Sequence, residues 1–284
     1  PRRLDRPRRR RGRRPAGSCV MNTMSRTTDI PPTTDSMSRA RVFNAYVQEA
    51  RSEILRYLRN PGFLLPVILF PTAFYLMFGV ALAHAEAPGM ATYLLASYGT
   101  FGVMSPGLFG FGVSLALERD NGLLTLKRAL PMPPAAYLLG KMLMAMMAAA
   151  AVIFLLLVLG VGVAHVSLTM MQAAALLLTG TLGVLPFCAL GMLVGTLIKG
   201  QGAPGMLNLV YLPMSFLSGL WVPLQVLPTT LQRIAPIWPS YHLDQVALHA
   251  LGVTQAPILQ HVLVLCGFTV GFLWLAARRL RQYG

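Results

Sequence analysis

From residue 62 onward the chain is a series of long apolar runs separated by short polar connections. Residues 62–83, 91–117 and 172–198 contain no charged side chain, and 139–164 contain only Lys141. Residues 204–223 are also uncharged but are interrupted by Pro213, and 257–277 carry only His261 near one end. A helix needs about 20 apolar residues to cross the hydrocarbon core of a bilayer. The pattern therefore predicts an all-α membrane protein with six transmembrane helices, of which the fifth is the least regular. Lys141 lies near the end of its run, where its stem is expected to snorkel toward water.

Ahead of the first run, residues 42–59 read differently. Phe43, Tyr46, Val47, Ala50, Ile54, Leu55 and Leu58 recur at helical spacing, and Glu49, Arg51, Glu53, Arg56 and Arg59 take most of the remaining surface. Asn60-Pro61 ends this amphipathic helix. Because it leads directly into an apolar run, it is expected to lie on the membrane surface as an N-terminal interfacial helix.

The connections test the count of six. Loops 84–90 and 165–171 have no Lys or Arg, and 224–256 has only Arg233. Loop 118–138 has Arg119, Lys127 and Arg128, loop 199–203 has Lys199, and the tail has Arg278, Arg279 and Arg281. Basic residues thus alternate sides, as six crossings with both termini in the cytoplasm require. A miscount by one would break the alternation.

Composition agrees: 55% of the 284 residues are hydrophobic, 12% are charged, and the mean hydropathy is +0.59. A soluble domain carries about twice that share of charge. The net charge of +15 is concentrated at the start, where residues 1–14 hold nine Arg and one Asp. Residues 1–38 read as a disordered basic arm or an over-extended gene start, and 39–284 as the transmembrane domain. Nucleic acid is not an expected partner. Cys19, Cys188 and Cys266 are too scattered for a disulfide framework or a metal site. The Gly191-xxx-Gly195 and Gly267-xxx-Gly271 pairs suit close helix packing.

Catalytic chemistry has no visible carrier. No phosphate-binding Gly-x-x-x-x-Gly-Lys-Ser/Thr loop exists; AAYLLGKM lacks the first Gly and the hydroxyl after Lys141. There is no His-Glu-x-x-His, and Ser218-Gly219 lacks the Gly two residues earlier that an intramembrane serine protease would show. His242 and Asp244 in YHLDQ read as loop polar residues. None of the six apolar runs holds an internal Asp or Glu, which argues against an ion-coupled carrier. We therefore expect no catalytic residue, no bound metal and no cofactor in this chain.

Two connecting stretches stand out. LERDNGLLTLKRALPMPP (117–134) concentrates charge and leucine in a short helix bracketed by Gly122 and Pro131. SFLSGLWVPLQVLPTTLQRIAPIWPSYHL (215–243) is too apolar for a solvated loop and too rich in proline for a span. It reads as short helices dipping into the outer leaflet, a re-entrant segment between spans five and six, with Trp221 and Trp238 at the interface.

In these features the chain resembles the membrane permease of type-2 ABC exporters over roughly residues 40–284. The matching pieces are the interfacial helix before span one, Glu118-Arg119 with Gly122 and Pro131 after span two, and Ser218-Gly219-x-x-x-Pro223 with Leu227-Pro228 and Pro236 after span five. It departs from the family pattern at Asp120-Asn121 and at Leu123-Leu124, where a Thr-Leu pair is often seen. The resemblance implies a multi-pass subunit of the bacterial inner (cytoplasmic) membrane that works as a dimer, with a homodimer expected. Each copy would be gripped by a separate ATP-binding subunit, which binds ATP and Mg. It implies export of an amphipathic, lipid-linked or drug-like substrate. Glu118, Arg119, Gly122, Leu126 and Pro131 would form a coupling helix, flanked by Arg51 and Arg56. Ser218, Gly219, Pro223, Leu227, Pro228 and Pro236 would form an outer gate. Tyr93, Ser97, Asn208, Tyr211 and Ser215 would line the substrate cavity.

Overall fold

The computed structural model describes residues 39–82, 89–123, 126, 134–255 and 257–283. Among them there is no strand. The expected 1–38 arm, Pro131, Lys127 and Arg128 lie outside the described residues.

The first helix, α1 (Arg39–Leu58), carries two apolar faces. One presents Ile54 and Tyr57, with Glu53 between them, to the rest of the protein. The other exposes Phe43, Val47, Leu55 and Leu58. A helix with a second bare apolar face suits the boundary between headgroups and acyl chains. Asn60 ends α1, and Pro61 opens α2 (Pro61–Phe74), where its missing N–H costs nothing. The helix then continues to Leu82 in wider π geometry.

At the centre lies α3, which runs from Met90 to Ser105, passes through a π segment over Pro106–Val113 and resumes as α-helix to Asp120. It is the most buried of five helical stretches long and apolar enough to cross a membrane: 61–81, 90–120, 135–162, 170–197 and 258–279. Such burial among neighbours without a hydrophobic driving force requires close backbone approach, and glycine supplies it. A Cβ on Gly195 would sit 2.6 Å from the Gly112 carbonyl, and one on Gly191 would sit 2.7 Å from that of Gly107. The Gly191/Gly195 stripe is therefore a packing seam between α3 and α6 (Leu185–Leu197). Nothing lies within 4 Å of a Cβ on Gly267 or Gly271.

The third span is α4 (Pro134–Gly162), and α1 lies across its first turns. Gly140 makes room there: a Cβ would meet the Ala50 nitrogen at 3.2 Å. The fourth is α5 (Met170–Gly183) with α6. The helix over the fifth expected span, α7 (Ala203–Leu217), has 15 residues and a Pro213 inside it. At 1.5 Å per residue it is about 22 Å long, short of the roughly 30 Å core. Two elements follow, α8 (Thr229–Ile234) and α9 (Pro239–Ala250), before the long last helix α10 (Ile258–Tyr283).

Three expectations change here. Residues 239–250, read from sequence as the polar end of a loop, form a helix packed against α3, α5 and α10 with His242 and Asp244 buried. Trp221 packs into the protein, half-buried with its indole Nε1 enclosed. Its ring lies 5.5 Å from Phe74 and 5.9 Å from Phe101, inside an aromatic cluster with Tyr98 and Phe78. Lys141 does not snorkel; it is fully buried.

Candidate functional site

Lys141 is buried because three surfaces converge on it. It projects from α4 toward α1 and the last turns of α3. Its Nζ donates to Glu118 Oε1 at 3.0 Å, to Glu53 Oε2 at 3.2 Å and to Ser114 Oγ at 2.8 Å. An ammonium has three protons, and each has a partner. Tyr137, one turn earlier on α4, donates its hydroxyl to Glu118 Oε2 at 2.5 Å. Arg56 spans the same two acids, donating to Glu53 Oε2 at 2.5 Å and pairing with Glu118. Two carboxylates and two cations cancel, so the junction is neutral while fully bonded. Burial opposes the charge on Arg56, but Glu118 and Glu53 prevail and hold its pKa above the ordinary value.

Glu118 therefore does not present its charge at the surface. The two residues after it also bond back to the protein, Arg119 half-buried and Asp120 exposed. Arg119 donates to the carbonyls of Thr196 at 2.5 Å and Ile198 at 2.7 Å, capping the end of α6. A cation on the last carbonyls of a helix also complements the helix dipole. Asp120 Oδ2 accepts from the Gly200 N–H at 2.6 Å. The Glu-Arg-Asp triplet thus ties the end of α3 to α1, α4 and the turn after α6. Gly122 follows with φ +72°, the left-handed conformation that stops the helix, and its N–H closes on Arg119 O. Beyond it Leu126 is 66% exposed. Arg51 is exposed on α1.

At the other end of the bundle the expected gate residues split into two groups. Ser218 is buried: its Oγ donates to Met214 O at 2.7 Å and lies 2.5 Å from Ser240 Oγ on α9. Gly219 has φ +81°, and an added Cβ there would meet Leu224 at 3.1 Å. Pro223 and Leu227 are half-buried, and Pro228 and Pro236 are exposed. The Pro236 carbonyl can only accept, so the His242 Nε2 that touches it at 2.9 Å carries the proton. His242 Nδ1 then accepts from His261 Nδ1 on α10 at 2.9 Å. Burial keeps the His242 pKa low, consistent with a neutral ring.

The five expected cavity residues do not gather. Tyr211 is packed between Phe101 and Phe109 and donates to Phe101 O at 3.0 Å. Ser215 is buried and bonded to Leu212 O. Asn208, on the same helix, is exposed. Only Tyr93 and Ser97 meet, and they meet at a residue not expected there: Asp244 of α9. The Asp244 carboxyl is 1% exposed, and its Oδ1 and the Ser97 Oγ make no well-formed hydrogen bond. Burial raises its pKa to about 8.

Sequence reasoning missed Glu53, Tyr137, Lys141 and Asp244. Three of these left a signal. Glu53 stands on the Ala50–Ile54–Tyr57 face of α1, and Tyr137 and Lys141 share one face of α4 at i, i+4. Asp244 left none, because its helix carries no continuous apolar run.

Residues 65–278 match the family model described as ABC-2 family transporter protein. The chain is also 27% identical over 237 residues to a Bacillus subtilis (strain 168) protein named "Putative transport permease YvfS", covering 82% of this chain and 96% of that one. Members of this permease family normally work with an ATP-binding subunit. With its apolar helices and its matched length, the chain belongs to the ABC-2 transporter family, as a multi-pass membrane permease component of an ABC transporter.

Proposed function

We propose that this permease exports an amphipathic, lipid-linked or drug-like substrate across the bacterial inner membrane, driven by a separate ATP-binding subunit that holds ATP and Mg. The observation that carries this reading is the charged junction. Lys141, Glu53, Glu118 and Arg56 bind α1, the end of α3 and the start of α4 into one block. Beyond that block Leu126 is exposed. A push at Leu126 would move three helices together, as a two-state transporter requires of its motor contact. Glu118 and Arg56 then act as positioning residues, and Leu126 is a contact residue.

In this reading the chain crosses six times, with α7 and the turns after it making the fifth crossing. The charge alternation supports that count, since five crossings would place the Arg278–Arg279 tail opposite the Arg119 loop. Two copies form the translocation path, and the α7–α9 segment, hinged at Gly219, is its outer gate. The test is co-purification of the chain with its ATP-binding subunit. Leu126→Asp should abolish the association while the permease still inserts and unfolds normally. Retention of the subunit by that variant, with normal export, would overturn the coupling role.

A further inference from the structure

A pocket of about 290 Å³ opens beside the charged junction, between α1, the start of α2, the end of α3 and α4. Its lining changes along the helices. Arg56, Asn60 and Asn121 lie at helix ends, whereas Phe109 and Met144 lie two to three turns further into α3 and α4. Phe63 adds a third apolar wall. Tyr57 also lines the pocket, with its hydroxyl enclosed by protein.

The donors at the mouth set what can bind. Glu53, Glu118, Arg56 and Lys141 cancel, and exposed Arg59 beside Asn60 is matched by exposed Asp120 beside Asn121. Arg56 has five N–H groups; two engage Glu53 and Glu118, and its side chain is 45% exposed. Spare guanidinium donors and two side-chain amides suit an anion with several oxygens. The bare apolar face of α1 sets the depth of the pocket at the headgroup layer. The volume is at the small end for ligand sites and fits part of one acyl chain, not a whole lipid.

We propose that this pocket binds a phosphate-bearing amphiphile, with its phosphate at Arg56 and Asn60 and the upper part of one chain against Phe63, Phe109 and Met144. The proposal does not rest on the ATP-binding subunit and is tested on the permease alone. The full chain, stripped of lipid in a neutral maltoside detergent, is titrated with phosphatidylglycerol and followed by native mass spectrometry. One tight adduct per chain is expected, with diacylglycerol of the same chains binding at least tenfold more weakly. Asn60→Asp places a negative charge at the mouth. Asn60 makes no side-chain cap bond to α2, so the change leaves that helix start intact, and it should weaken the adduct about tenfold. Gly110→Leu fills the cavity, where an added Cβ already approaches Met144 at 3.4 Å and Tyr57 at 3.7 Å, and should abolish the adduct. Equal binding of diacylglycerol, or an adduct unchanged in Asn60→Asp, would overturn the proposal. Displacement of the adduct by millimolar inorganic phosphate would overturn the chain requirement. Phospholipid extracted from the unstripped protein in equal amount would identify the occupant as a resident membrane lipid; its absence, with binding intact, would identify a transient one.

Discussion

Lys141 Nζ lies 3.0 Å from Glu118 Oε1, and both residues are buried. One comes from the start of an apolar run and the other from the far side of a loop 23 positions away. Each is tolerable only because the other is present. Removing one member of a buried ion pair typically costs about 3–5 kcal/mol, whereas replacing both by apolar groups is often neutral.

A double-mutant cycle therefore has a definite expected sign. Lys141→Met and Glu118→Gln should each lower the thermal midpoint of the detergent-solubilised protein sharply. The double variant should lose clearly less than the sum of the two. Additive losses would mean that the pair does not act as a unit.

The two glycine stripes separate seam from surface. Gly195→Ala places a methyl 2.6 Å from a backbone carbonyl and should cost about 1–3 kcal/mol. Gly271→Ala meets nothing and should not destabilise. Unfolding of the two variants side by side gives the answer.

Gly219 and Gly122 differ in the same way. Both have positive φ, so alanine at either costs about 1 kcal/mol of backbone strain. Gly219 also has Leu224 at 3.1 Å, and Gly122 has nothing near. Gly219→Leu should block export in a vesicle assay while the ATP-binding subunit stays bound, if the α7–α9 segment is a gate. Loss of assembly instead would make Gly219 a packing residue.

Asp244 predicts a pH dependence. Burial raises its pKa from the ordinary 3.8 to about 8, so the folded state holds this proton more tightly than the unfolded chain. Its stabilising contribution is complete below about pH 4 and is lost as pH rises through about 8. The slope is on the order of 1.4 kcal/mol per pH unit for one proton. Asp244→Asn, which stays neutral, should flatten that slope between pH 5 and 8. An unchanged slope would show that another group titrates.

The sequence by itself determined the class of this protein, its apolar spans and where the chain turns. These follow from a cost that is local: each residue in hydrocarbon adds its own transfer free energy, so run length and loop charge can be read without knowing what touches what. The first helix was legible from its apolar periodicity, and the Gly122 stop was visible as a residue type. Only the tertiary structure decided which charges are hidden. Glu53 and Lys141 are 88 positions apart, Arg119 reaches a carbonyl 77 positions away, and Asp244 faces Ser97 from a helix that looks like a loop. The free energy of a charge depends on its partner and on the water excluded around it, and both are set by which helix faces meet. The same Glu-Arg-Asp triplet would be a solvated surface grip if α1 lay elsewhere. With α1 seated on Gly140, it becomes the internal joint of the permease.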